Sequence, residues 1–272
     1  MKTRILTAAI GIPALLLVMF LPWSIVFSCT IAFISGVAVY EVLKISGVLE
    51  YRKLAITAIV FSVIAPFFDR LPAVLVMLLC IAYVVALMLL YLRAHKTIAL
   101  EKLGLTFFVS VYVAVSLSCA AYLRAMEQHG LFYLILAFAI AWFADSGAYF
   151  VGVFFGKHKL CPAISPKKTV EGLVGGLASS VLLTLLVAWI YEVFFLKQVD
   201  HVSYANVLLL ALGGSLLSVV GDLFASLIKR QYDTKDFGNF FPGHGGMMDR
   251  FDSLLPVFLL VYFTVSYLPI IS

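Results

Sequence analysis

Nine apolar runs follow one another along the chain, most of them long enough to cross a bilayer. They cover Ile5 to Leu21, Ser24 to Tyr40, Leu54 to Phe68, Leu71 to Leu92, Leu103 to Leu123, Leu131 to Phe155, Leu173 to Leu196, Tyr204 to Ile228 and Ser253 to Ile271. A spanning helix needs roughly 17–25 mostly apolar residues; the third run is the shortest. In lipid every backbone N–H and C=O must be paired within the protein, which leaves helices or closed barrels. The runs lack the alternation of barrel strands. The expected fold is therefore all-α, a polytopic integral membrane protein with about nine transmembrane helices. Hydrophobic residues make up 64% of the 272 and charged ones 12%, which leaves no stretch for a separate soluble domain.

The first run follows Lys2 and Arg4 and has the look of a signal peptide. It leads straight through Pro22 and Trp23 into a second apolar run, without a small-residue cleavage site before a soluble region, and is read as a helix. Residues 1–130 then form an N-terminal group of helices, a scaffold or lipid-contacting region, and residues 131–272 a C-terminal group with the longer polar loops, all within one membrane unit.

The basic residues orient the chain. All but Arg70, Arg124 and Lys197 of the 19 lysines and arginines fall at the N-terminus or in the loops after the second, fourth, sixth and eighth runs. The positive-inside rule places these in the cytoplasm and the C-terminus outside. The formal charge of +5 is thus a cytoplasmic excess suited to phosphates and anionic headgroups, with no call for nucleic acid. Cys29, Cys80, Cys119 and Cys161 have no metal-binding or disulfide spacing and read as packing residues. No internal repeat is visible.

Two polar segments interrupt the apolar pattern on the cytoplasmic side. One is "GKHKLCPAISPKKTVEG", Gly156 to Gly172; the other is "KRQYDTKDFGNFFPGHGGMMDRFD", Lys229 to Asp252. Beside them, two aspartates stand inside apolar runs, Asp145 in "AWFADSGAYF" and Asp222 in "SVVGDLFASLIKR". A charge near the bilayer centre costs about 2.5–3.5 kcal/mol on insertion scales, so such residues are functional candidates. Asp222, Ser226 and Lys229 share one helical face leading to the second segment. Asp222 and Asp249 offer the carboxylate oxygens that magnesium prefers when phosphate oxygens and waters complete its shell, with Asp145 a candidate further ligand and room for a second cation. Lys167, Lys168, Lys229, Arg230 and Lys235 supply positive charge. The turn from Pro242 to Gly246 can aim N–H groups at anions, and His244 is open to reading as metal ligand, phosphate donor or general base. The blander alternatives are an aspartate that only fixes helix packing, a plain tight turn, and a lysine cluster that only sets topology; their convergence on two neighbouring loops favours a site. The chain has no GxxxxGK[ST] motif, so a P-loop kinase or ATPase is excluded at motif level. His95, His129, His158 and His201 read as surface or interface residues, and Gly152 with Gly156 as a hint of helix association.

From Ser226 to Asp252 the chain resembles the motif of the phosphatidate cytidylyltransferases, the CDP-diacylglycerol synthases: Ser226, Lys229, Arg230, Lys235, Asp236, Pro242, His244, Gly245, Gly246, Asp249, Arg250 and Asp252 fall at that family's spacing. Ser165 to Thr169 with Glu171 and Gly172 resembles its second segment. The resemblance implies magnesium-dependent conversion of CTP and phosphatidate to CDP-diacylglycerol and pyrophosphate at the cytoplasmic face of a membrane of the bacterial inner type. It implies Asp222, Asp249, Lys229 and Lys168 as catalytic residues. Lys167, Lys168, Ser226, Arg230, Lys235, Gly243, His244, Gly245, Gly246 and Arg250 would contact the substrates. A phosphate monoester is already ionised at pH 7, so no strong general base is needed. The rival readings are a CTP-dependent lipid kinase and an ion-coupled transporter, and the glycine-rich faces leave room for a homodimer.

Overall fold

The computed structural model describes residues 11, 13–197, 200–241, 243 and 245–271. It is helical apart from one small ribbon. Residues 13–20 are helical. The main helices are α1 (Ser24–Ile45), α2 (Arg52–Ile64), α3 (Ala73–Ala94), α4 (Leu100–Ala125), α5 (Gly130–Phe155), α6 (Val170–Phe195), α7 (Tyr204–Gln231), the single turn α8 (Met248–Phe251) and α9 (Leu254–Tyr267). Six of these, α1 and α3 to α7, are long and apolar enough to cross a membrane among the described residues, and the protein is an integral membrane protein. Residues 5–10 and 12 of the first apolar run lie outside the described ones.

The chain divides into two compact units. The first runs to Ala125 and takes in Tyr232–Arg250; the second comprises Met126–Gln231 and Phe251–Ser272.

In the first unit α1 packs on α2 and α4 and buries Phe27, Ile31, Val39, Val42 and Leu43. The third apolar run is not one long helix. The 13-residue α2 gives way at Ala65–Arg70 to a 3-10 segment, because Pro66 has no N–H for the helical ladder. At 1.5 Å per residue α2 reaches only about 20 Å, short of the ~30 Å hydrocarbon core. α3 is the most apolar of the long helices and the least buried, as a helix solvated by lipid should be.

The second unit is built around α5 and α6, which meet along a seam rich in small residues. Gly172, Gly176, Ser180, Thr184 and Ala188 form a buried stripe at every fourth residue of α6, so the backbones approach closely, as small residues permit in membranes. A Cβ on Gly176 would lie 2.6 Å from the Ala144 carbonyl oxygen and one on Gly172 2.8 Å from that of Ala148. Ser180 Oγ donates to the Ile140 carbonyl across the seam at 3.0 Å. Large side chains such as Leu182, Trp189 and Phe194 face outward. Gly152 and Gly156 are spent here as well: a Cβ on either would meet Thr169 Oγ1, at 3.1 and 2.8 Å. Their spacing marks contact within the chain.

The polar segment between α5 and α6 is more ordered than its composition suggests. Lys159–Cys161 (β1) and Ser165–Thr169 (β2) pair antiparallel, with Lys159 opposite Thr169 and Cys161 opposite Ser165. The sequence reading contained no strand. Of the cysteines only Cys119 is buried; Cys29 is exposed, and Cys80 and Cys161 are intermediate.

Candidate active site

In the second unit the ribbon is fastened to the start of α6. Thr169 caps the helix, its Oγ1 accepting from Gly172 N at 3.1 Å, which pairs one N–H of the first turn. Glu171 accepts from Lys157 N at 3.0 Å and His158 N at 3.2 Å, and its Oε1 lies 2.6 Å from His158 Nδ1. So held, β2 leaves Lys167 exposed while Lys168 is half-buried. Its Nζ meets Asp222 Oδ2 on α7 at 2.8 Å. Arg230 Nε reaches the Ile164 carbonyl at 3.5 Å, so the basic end of α7 and the ribbon lie together.

The helical face read from sequence exists. Ser226 Oγ donates to Asp222 Oδ1 at 3.3 Å, and Lys229 Nζ stands 4.0 Å from Asp252 Oδ2 with both side chains about nine-tenths buried. Asp145 Oδ2 accepts from Ser253 Oγ at 2.9 Å. Asp145 and Asp222 sit more than two turns inside the ends of their helices, where burying an isolated charge would be expensive. Each has a named partner. Gly221 brings α7 against the chain at Asp252; a Cβ there would be 2.5 Å from the Asp252 carbonyl oxygen.

The first unit holds the glycine turn. Gly243 and Gly245 have φ of +82° and +88°, a region other residues enter at a cost. Pro242 and His244 lie outside the described residues. Asp249 Oδ2 accepts from Phe237 N at 2.8 Å and Gly246 N at 2.9 Å, which fixes the turn against the candidate metal ligand. Lys235 and Arg250 are exposed. Behind the turn is a residue the sequence reading passed over. Glu41, near the end of α1 and 4% exposed, accepts from Met247 N at 3.0 Å and Met248 N at 2.9 Å. The only local signal was an acid in the apolar stretch "GVAVYEVLK".

Among the described residues no group of three or more His, Cys, Asp and Glu is gathered as for a metal ion. Magnesium asks for less: one or two carboxylates, with substrate oxygens and water filling the rest. The carboxylate of Asp222, 32% exposed and already opposite a cation, fits that demand. Asp222 belongs to the second unit and Asp249 to the first.

The chain matches the model of the Cytidylyltransferase family over residues 2–268, and it belongs to that family. It is 39% identical over 185 residues to a phosphatidate cytidylyltransferase of Bacillus subtilis (strain 168), covering 68% of this chain and 66% of that protein. With the protein of the same name from Staphylococcus aureus (strain COL) it shares 45% identity over 135 residues, 50% of this chain and 49% of the relative. With that of Staphylococcus saprophyticus the figure is 42% over 140 residues, 52% and 51% of the two chains. The matched stretches thus span about half to two thirds of the relatives.

Proposed function

We propose that the chain is a magnesium-dependent phosphatidate cytidylyltransferase with its site at the cytoplasmic face. The observation that carries this reading is the meeting of the ribbon with the acidic face of α7: Lys168 lies 2.8 Å from Asp222. Family membership and the relatives' names support it.

In the proposed reaction an oxygen of the phosphatidate phosphate attacks the α-phosphorus of CTP. A P–O bond forms there, the bond to the bridging α–β oxygen breaks, and pyrophosphate leaves with that electron pair. Both reactants are polyanions, so neutralising charge and fixing geometry are the main tasks. Lys168 and Lys229 are held in register by carboxylates, one on the ribbon and one on α7, and are suited to meet phosphate oxygens at the lipid boundary. Lys167, Arg230, Lys235 and Arg250 are exposed and suited to the triphosphate. Gly243 is exposed at the turn and leaves room for a phosphate beside the backbone, while Gly245 and Gly246 are buried behind it. Asp222, with Asp145 in support, would hold magnesium in the second unit, and Asp249 would hold it in the first; bound there, magnesium would offset phosphate charge and stabilise the departing pyrophosphate.

The test is conversion of labelled CTP by purified protein without a membrane gradient. CDP-linked lipid supports the reading, phosphorylated lipid with CDP identifies a kinase, and transport without CTP turnover identifies a carrier.

A further inference from the structure

We infer that Glu41 is a positioning residue, which holds the backbone of Met247 and Met248 so that Asp249 is presented in its working orientation. The inference rests on the cytidylyltransferase reading for the use of Asp249, and on geometry alone for the clamp.

The first N–H groups of any helix have no partner within it. At the entry to α8 three successive donors are shared between two carboxylates from distant parts of the sequence. Gly246 N donates to Asp249 Oδ2, Met247 N to Glu41 Oε1 and Met248 N to Glu41 Oε2. Both oxygens of Glu41 are thus used on backbone, and at 4% exposure water cannot replace them without the turn opening.

The glycines of the segment are shaped to this clamp. A Cβ on Gly246 would fall 2.4 Å from Glu41 Oε2, and one on Gly238 2.4 Å from Glu41 Oε1. Two glycines therefore flank a single carboxyl group, and neither has a positive φ that would explain it otherwise. Gly245 lies against the next carboxylates, its Cβ position 3.1 Å from Asp249 Oδ2 and 3.2 Å from Asp236 Oδ1. A rotation of the turn that freed Asp249 would have to break the Glu41 bonds or drive backbone into the carboxyl. The proposed metal ligand is thereby held from α1, a helix about two hundred residues away in sequence.

The test compares wild type with Glu41→Gln, which keeps the size but sets an amide NH₂ against one backbone N–H. Hydrogen exchange, which needs no substrate, should quicken at least about tenfold for the amides of 246–249, with α5 to α7 unchanged. Per folded molecule, kcat should fall about 10- to 100-fold and half-saturating magnesium should rise, with the phosphatidate KM little altered. High magnesium should restore part of the activity, and should not do so for Asp249→Asn. A residue that merely stabilised the fold would reduce yield and leave the magnesium dependence as it was. Glu41→Asp, with both oxygens drawn back by one methylene, is the second variant and should shift in the same direction. Wild-type exchange and wild-type magnesium dependence in a folded variant overturn the inference, as does failure of both variants to fold. If exchange quickens but the wild type makes no CDP-lipid, the clamp stands and the cytidylyltransferase reading falls.

Discussion

Lys168 and Asp222 stand 23% and 32% exposed, too open for their attraction alone to matter much to stability, so the pair is better explained by what it can bind. Asp222→Asn keeps the shape and removes the charge. It should lower CDP-lipid formation at least about 100-fold while the protein still inserts and purifies; an aspartate that only packed helices would instead leave turnover near normal, since neutralising it removes a desolvation cost. Lys168→Ala should reduce kcat/KM about 10- to 100-fold, at 1.36 kcal/mol per factor of ten, with helicity unchanged by circular dichroism. Wild-type kinetics in that variant would make the ribbon a topology signal only. Asp145 and Asp222 were legible because a charge inside an apolar run is conspicuous. Glu41 is buried more deeply than either, yet its partners are backbone groups 206 and 207 residues away, and a backbone donor carries no residue type for a sequence to reveal. Glu171 and Thr169 were legible only through the resemblance, and their work in tying down the ribbon depends on a pairing of two short strands.

Lipid solvation governs the elements. The apolar runs marked the helices because an unpaired backbone is forbidden in hydrocarbon, but their ends lay elsewhere: α1 continues through Lys44 and α7 through Gln231. The polar end of α7 stays helical because 28 residues make about 42 Å, well beyond the ~30 Å hydrocarbon core, so Lys229 and Arg230 ride on a rigid helix. The ribbon was invisible, since "KLC" and "SPKKT" are short and one contains proline. Small residues on α6 define the seam with α5, and glycine substitutions there should separate from those elsewhere. Gly176→Ala places a methyl against the Ala144 carbonyl and should destabilise by about 1–3 kcal/mol. Gly104→Ala, with nothing within 4 Å, should stabilise α4 by roughly 0.5–1 kcal/mol. Thermal unfolding in one detergent checks both signs; equal effects would contradict the seam.

For the whole molecule, the division into two units shows that the loop bearing Asp249 belongs, by compactness, with the N-terminal helices, although in sequence it follows α7. One of the N-terminal helices, α1, carries the carboxylate that accepts from this loop's backbone. The orientation expected from the loop charges is open to test. In a cysteine-free background, Lys96→Cys and Lys157→Cys should be shielded from an impermeant thiol reagent added to intact cells, and Lys197→Cys should label. Labelling of Lys157→Cys from outside would put the ribbon, and the site with it, on the wrong face for CTP. The most direct measurement is mass spectrometry of the lipid and nucleotide products after purified protein is incubated with CTP, phosphatidate and magnesium. CDP-diacylglycerol and pyrophosphate should appear in equal amounts, vanish with excess EDTA and return with added magnesium. A phosphorylated lipid accompanied by CDP, or CTP left unconsumed by folded protein, would contradict the account.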